Sequence, residues 1–396
     1  MSDPWLAIIG LGEDGPEALP PASRAALAAA EIIVGGPRHL ALVAAGPRGR
    51  PWPVPFDIAP VLALRGRRVV VLASGDPFWF GAGSRLAEAL PAGEWASHPA
   101  PSSFQLAANR LGWRIEETLC LGLHAAPLER LVPVLRPGAR ILATLRDAGA
   151  VAALAAFLQR QGFAASRLWI LERLGGPRER VRPVAPDALP DDLPDDLQAP
   201  LMAAIEAGGA PGLPAVPGLP ESLFAHDGQI TKAPVRALTL AALAPRPGER
   251  LWDLGAGSGS VSVEWALAGG HALAVEQRPD RAANIRENAA RFGLGHRIAV
   301  IEGRAAEVLD RLDPPAAVFV GGGLDAALLA ALWDRLPAGA RLVANAVTLE
   351  TEALLADAQA RLGGSLIRLT LERAEGLGRM RGWTAARPVV QWSALR

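Results

Sequence analysis

The stretch Leu251-Trp252-Asp253-Leu254-Gly255-Ala256-Gly257-Ser258-Gly259-Ser260 permits few folds. An apolar strand ends on an acid and runs into a turn with glycine at every second position. Glycines at 255, 257 and 259 let backbone N–H groups approach a ligand with no Cβ in the way. A helix over Val261–Leu267 sets the turn at a helix N-terminus. Leu273-Ala274-Val275-Glu276 then reads as a second strand closed by an acid, where a carboxylate holds a ribose diol. The pattern predicts a nucleoside pocket in a doubly wound α/β domain.

The spacing separates two kinds of nucleoside. A nicotinamide fingerprint needs G-x-G-x-x-G, its third glycine allowing close helix–strand packing. Here Ser260 occupies that slot. Asp253 stands against the turn, where it would repel a pyrophosphate. A ligand with an amino group and a sulfonium would meet the opposite field, and S-adenosylmethionine (SAM) carries both.

At 396 residues the chain exceeds one ordinary domain. Half of it is hydrophobic and the net charge is zero, which argues against nucleic acid as a partner. Cationic side chains are almost all arginine, Lys232 being the single lysine. Cys120 is the only cysteine, which excludes disulfides within the chain and a cysteine metal site. The six histidines show no ligand spacing, so no metal is expected. No apolar run reaches the length of a membrane span. With no basic leader before the first strand, the expected location is the cytoplasm.

Along the first half, strands are expected over Trp5–Leu11, Glu31–Val34, Val69–Ala73, Ile141–Thr144, Leu168–Leu171 and Leu201–Ile205. Helices are expected over Pro21–Ala30, Phe104–Leu111 and Gly149–Gln161, an alternation typical of α/β domains. Pro183–Pro200 reads as an acidic, proline-punctuated loop. The Gly/Pro run 208–220 reads as a linker between a domain of residues 1–207 and one of residues 221–396. The second half is a βα series with strands Arg250–Leu254, Ala272–Glu276, Ile298–Glu302, Ala316–Val320, Arg341–Ala344, Leu366–Glu372 and Val389–Ser393.

Successive strand tips of the second half assemble a site. Asp253 with Gly255, Gly257 and Gly259 would take the methionine part, and Glu276 the ribose. Gly303, Arg304 and Ala305 would hold the adenine edge. Gly321, opening a run of three glycines, would clear space beside the reactive methyl. Thr231 is placed to cap the next helix or to contact the cofactor carboxylate. Lys232 could contact that carboxylate too, or pair with an acidic substrate.

Three segments carry a resemblance: His226–Lys232, Leu251–Ser260 and Asn345–Thr351. They resemble the methyltransferase-and-decarboxylase half of the precorrin-6Y C5,15-methyltransferases. In the first half, Ile8–Gly12, Ala73–Pro77, Pro101–Ala107 and Glu172–Glu179 resemble the tetrapyrrole methylase family. The order of the halves matches the fused, bifunctional form. One departure is Pro234, where the family carries a glutamate. The resemblance implies a two-subdomain αβ tetrapyrrole-methylase module followed by a Rossmann-like, seven-strand SAM methyltransferase domain. It implies two SAM sites per chain, the first around Gly10, Gly75, Asp76, Pro77, Ser102 and Ser103. The implied reaction is methylation of a precorrin tetrapyrrole at C5 and C15, with loss of the ring-C acetate carboxyl. Such a polycarboxylate substrate needs cationic clamps, for which Lys232, Arg304, Arg379 and Arg381 are candidates, Arg379 and Arg381 in a glycine-rich loop over Ala374–Gly382. A homo-oligomer, dimer or tetramer, is also implied.

A second reading keeps the SAM site of the second half and makes the first half a non-catalytic binding or dimerisation module. Gly75-Asp76-Pro77 weighs against it, since a scaffold has no evident use for an acid in a glycine turn. An RNA or protein methyltransferase is disfavoured by the zero net charge and by glycines where an Asn-Pro-Pro-Tyr-like motif would stand.

Overall fold

The computed structural model describes residues 4–184 and 196–396. The chain divides into two units, Met1–Leu128 with Leu135–Pro211, and Glu129–Val134 with Gly212–Arg396.

The first unit holds two five-stranded sheets. One comprises β1 (Leu6–Leu11), β2 (Ile32–Gly35), β3 (Gly49–Pro51), β4 (Val69–Ser74) and β5 (Trp95–His98), in the order β3-β2-β4-β1-β5. All its pairings are parallel. Its central strands are apolar at nearly every position, as burial on both faces demands. Alternate residues feed separate cores: Leu6, Ile8, Val69 and Val71 on one face, Ile9, Leu11, Val70 and Leu72 on the other. The second sheet comprises β6 (Thr118–Gly122), β7 (Arg140–Leu145), β8 (Arg167–Glu172), β9 (Arg180–Val184) and β10 (Leu201–Glu206). Its order is β6-β7-β10-β8-β9. The last strand in sequence is thus a central one in space, antiparallel to both neighbours. The loop expected over Pro183–Pro200 falls mostly outside the described residues, and Pro183 itself lies in β9.

The second unit is a seven-stranded sheet of β11 (Arg250–Leu254), β12 (His271–Glu276), β13 (Ile298–Glu302), β14 (Ala317–Val320), β15 (Arg341–Ala346), β16 (Ser365–Leu369) and β19 (Val389–Leu395). The order is β13-β12-β11-β14-β15-β19-β16, parallel up to β15 and antiparallel beyond it. Strand order reverses between β11 and β14. In doubly wound sheets that reversal opens a crevice at the carboxyl ends of the strands. The turn Gly255–Gly259 follows β11 and the glycines 321–323 follow β14, so both sit at the crevice.

One expectation needs correction. Residues expected as a loop over Ala374–Gly382 form a hairpin, β17 (Glu372–Leu377) paired with β18 (Met380–Ala385). Gly378, at φ +60°, supplies the positive-φ residue that a two-residue hairpin turn needs. The Gly/Pro run 208–220 crosses between the units, but it is no free tether. Gly208 N–H donates to Ser166 Oγ at 3.1 Å, and Ala210 N–H to Gly162 O at 2.9 Å. At its other end Leu219 is buried, and Gly218 and Leu219 N–H donate to the Glu264 carboxylate at 2.7 and 2.9 Å.

Candidate active sites

In the second unit Asp253 is fully buried on the strand face it shares with Leu251, the face covered by the helix Ser260–Leu267. Its Oδ2 accepts from Ser262 Oγ–H at 2.6 Å and from Ser262 N–H at 3.2 Å. Its Oδ1 is buried and has no hydrogen-bond partner among the described residues. Burial pushes this carboxyl up to about 6, the Ser262 hydrogen bonds opposing the shift and the nearby Glu276 adding to it.

The glycine turn differs from the expected array of outward amides. Gly255 and Ala256 N–H both donate to Val275 O, at 2.9 and 3.1 Å. Gly257 N–H donates to Glu276 Oε2 at 2.9 Å, while Glu276 Oε1 accepts from Arg278 N–H at 2.9 Å. The amides knit β11 to β12, because a buried N–H needs a partner. What the glycines allow is close backbone packing. A Cβ on Gly255 would lie 2.8 Å from Gly322 O, so the turns after β11 and β14 touch. A Cβ on Gly257, Gly322 or Gly323 would meet nothing within 4 Å, so these three border open space. The structure therefore brings Asp253, Glu276, the 255–259 turn and Gly321 together. Gly303 joins them through its N–H, which donates to Glu276 O at 3.0 Å. Ala305 begins the short helix Ala305–Val308, and Arg304 at its N-cap is exposed.

Thr231 does not cap the helix Ala233–Leu243; Lys232 holds the N-cap position, without a side-chain cap. Glu221 supplies the acceptor instead, taking Ala233 N–H at 3.0 Å. Pro234 in the first turn has no N–H to satisfy, and is well tolerated there. Thr231 O accepts from Arg236, which is wholly buried and pairs with Glu264 at 2.6 Å. Lys232 is exposed. Arg379 and Arg381 lie on the β17–β18 hairpin, exposed, with no hydrogen bond or ion pair among the described residues. Asn345, from the third resembling segment, is held in a polar cluster. Its Nδ2 donates to Thr239 Oγ1 at 3.0 Å and its Oδ1 accepts from Gln391 Nε2 at 2.9 Å.

In the first unit a cavity of about 430 Å³ opens at the carboxyl ends of β1, β4 and β7. Gly75, Ser102 and Ser103 line it. Gly10, Asp76 and Pro77 are not among the lining residues and serve the frame. A Cβ on Gly10 would lie 1.8 Å from Gly75 O, so β1 and the 75–77 turn meet backbone to backbone. Asp76 Oδ1 accepts from Phe78 N–H at 2.8 Å, an Asx turn. A scaffold thus has a use for that acid after all. Asp76 therefore does not weigh against a non-catalytic first half; the cavity does. Ser102 and Gln105 form a capping box for the helix Ser103–Leu111.

The sequence reading missed most of this cavity's wall. Trp52, Phe56, Trp79, Phe80 and Phe104 supply aromatic faces, and Arg38, His39 and His124 supply polar ones. Phe80 takes φ +57°, unusual for a bulky residue. These residues come from five separate segments, and only Phe104 lay in a segment singled out above.

Two αβ units, each with a crevice at its strand ends, match known methyltransferase domains. Residues 6–188 match the model for tetrapyrrole (corrin/porphyrin) methylases, and residues 222–396 the model for the precorrin methyltransferase domain. A Sinorhizobium sp. protein named precorrin-6Y C(5,15)-methyltransferase [decarboxylating] is 45% identical over 397 residues, covering 98% of this chain and 96% of its own. A Pyrobaculum calidifontis protein named probable cobalt-precorrin-6B C(15)-methyltransferase (decarboxylating) is 37% identical over 185 residues. That match covers 44% of this chain and 94% of the relative. The solved C-terminal domain of precorrin-6Y C5,15-methyltransferase from Rhodobacter capsulatus is 59% identical. It covers 46% of this chain and 100% of its own, with a TM-score of 0.46. The chain is a methyltransferase of the kind that uses SAM. Within that class it belongs to the precorrin-6Y C(5,15)-methyltransferase (decarboxylating) family.

Proposed function

We propose that this chain methylates a precorrin-6-type tetrapyrrole at C5 in its first unit and at C15 in its second, with loss of the ring-C acetate carboxyl. The product would be of precorrin-8 type, on the route to cobalamin. The match along almost the whole chain to a relative named for both positions and for decarboxylation carries this reading. The half-length relative named for C15 methylation with decarboxylation supports dividing the work between the units.

The second unit's residues fit SAM. Asp253 Oδ1 is a buried acceptor with no partner among the described residues, suited to an ammonium group. Gly257 and Gly322 leave space at the switch point. Glu276 is buried at the end of β12, where it can accept from ribose hydroxyls while keeping Gly257 N–H. Gly303, Arg304 and Ala305 would border the adenine, and Gly321 the methyl. Thr231 would lie near the cofactor carboxylate, and Lys232 and Arg304 would meet substrate carboxylates. The exposed Arg379 and Arg381 stand farther from support for such a role. In the first unit the cavity wall at Gly75, Ser102 and Ser103 would receive the second SAM, with Gly10, Asp76 and Pro77 holding that wall in place.

SAM supplies an electrophilic methyl, and the electron-rich ring carbon supplies the electron pair. The residues need only align the two and exclude water. The apolar wall of Trp52, Trp79 and Phe104 suits a flat macrocycle.

The expected binding stoichiometry is two SAM per chain. Calorimetry on the full chain tests this; a single equivalent would favour a non-catalytic first unit.

A further inference from the structure

Beside the wall assigned to SAM, the first unit's cavity has a charged corner that the proposed roles leave unused. Glu13, Arg38, His39 and Ser74 all line it. Arg38 reaches it from the segment after β2, Glu13 from after β1, and Ser74 from the end of β4. The Glu13 side chain is nearly buried, at 7% exposure, and its carboxylate is shared. Oε1 takes Arg38 and Oε2 takes Arg173 at 3.3 Å. Two guanidiniums against one carboxylate leave one positive charge at the corner.

His39 adds no charge near neutral pH. Burial, and secondarily the adjacent Arg38, push its imidazole down to about 4. It therefore acts as an acceptor: Arg38 Nη2 donates to its Nε2 at 2.7 Å and to Ser74 Oγ at 2.8 Å. Arg38 is thus clamped on three sides, which lowers the entropy lost when it binds a ligand. Its Nε–H has no partner among the described residues, and its side chain keeps 35% exposure in the cavity wall. Arg173 is also held in a set position, at φ +48°. Such backbone outliers in non-glycine residues persist where the surroundings enforce them, and they cluster at ligand sites.

A fixed cationic corner beside an aromatic wall matches a flat ring with carboxylate arms. We infer that Arg38 is the residue of the first unit that receives a carboxylate of the tetrapyrrole, with Glu13 and Arg173 as its positioning residues. This rests on the proposed C5 activity of that unit. SAM also carries a carboxylate, so the two sources share one chemistry. The aromatic neighbours favour the tetrapyrrole.

The test compares wild type, Arg38→Gln and Arg38→Lys as full chains, counting methyls at C5 and C15 by mass. Wild-type transfer to C5 checks the underlying reading; without it, the activity assignment fails before the inference is reached. Given that transfer, Arg38→Gln should raise the C5 KM for the tetrapyrrole about 10- to 100-fold, the usual range for a lost charge-assisted contact. The KM for SAM, kcat at saturation and the C15 step should stay within about threefold, and Arg38→Lys should recover part of the KM. An unchanged tetrapyrrole KM would overturn the inference, as would a rise confined to the SAM KM. Matching thermal midpoints establish that the variants fold. If Arg38→Gln unfolds, the Arg38→Lys KM decides: a tetrapyrrole KM equal to wild type counts against the inference, and a raised one supports it.

Discussion

Asp253→Asn is expected to make the second unit more stable at pH 8 and to cripple its methyl transfer. Burial raises the Asp253 carboxyl from an ordinary 3.8 to about 6. The folded chain therefore holds that proton more tightly than the unfolded chain. Below about pH 4 both states are protonated and ionisation costs nothing. As pH rises from 4 to 6 stability falls, and above 6 the folded state carries the full cost of a buried carboxylate. That cost is about 3 kcal/mol. Asparagine removes it and still accepts from Ser262. The same change withdraws the charge assigned to the SAM ammonium, so SAM binding at this site should weaken about 10- to 100-fold. Transfer to C15 should fall accordingly while transfer to C5 is retained. Urea melts at pH 8 and pH 4.5, read beside the mass of the product, check both halves. Equal stability of the two proteins at pH 8, or equal loss of both methyls, would contradict this assignment.

Arg236→Ala should be the most damaging single change in the second unit, at about 3–5 kcal/mol. Its guanidinium lies wholly buried, bonded to Glu264 at 2.6 Å and to the carbonyls of Thr231 and Leu219. It also stacks over Phe224 at 4.9 Å. Truncation would leave the Glu264 carboxylate buried with only the Gly218 and Leu219 N–H groups for partners. The segment from 218 to 232, including Thr231 and Lys232, would lose its anchor. The loss should show in urea denaturation and as a fall in C15 methylation even where the unit stays folded. A cost below about 1 kcal/mol would mean the pair is not what holds the segment.

The second unit was the more legible half because its strands follow one another in a βα series, each apolar and closed by a chemically distinct tip. All seven sheet strands were anticipated. The β17–β18 hairpin was not, since Gly376 and Gly378 read as loop residues until the register of Glu372–Leu377 against Met380–Ala385 is known. Asp253 is conspicuous in sequence, and its main contact, Ser262, follows from parity: Asp253 shares a strand face with Leu251, under the helix. The first unit hides more. Short strands such as Gly49–Pro51 and Trp95–His98 carry no periodic signal, and β10 inserts between β7 and β8 from far along the chain. Its cavity gathers Trp52, Trp79, Phe104 and Arg38 from separate segments. No local pattern marks them as neighbours. Asp76 shows the opposite failure, a residue conspicuous in sequence whose observed bond is a local turn.

The central claim is that one chain carries out both methylations and the decarboxylation. Mass analysis of a precorrin-6B-type substrate after turnover by the full chain, with isotopically labelled SAM, tests it most directly. The expected product bears two labelled methyls and lacks one carboxyl, lost as CO2. A product that gains a single methyl at saturating SAM and long incubation would contradict it.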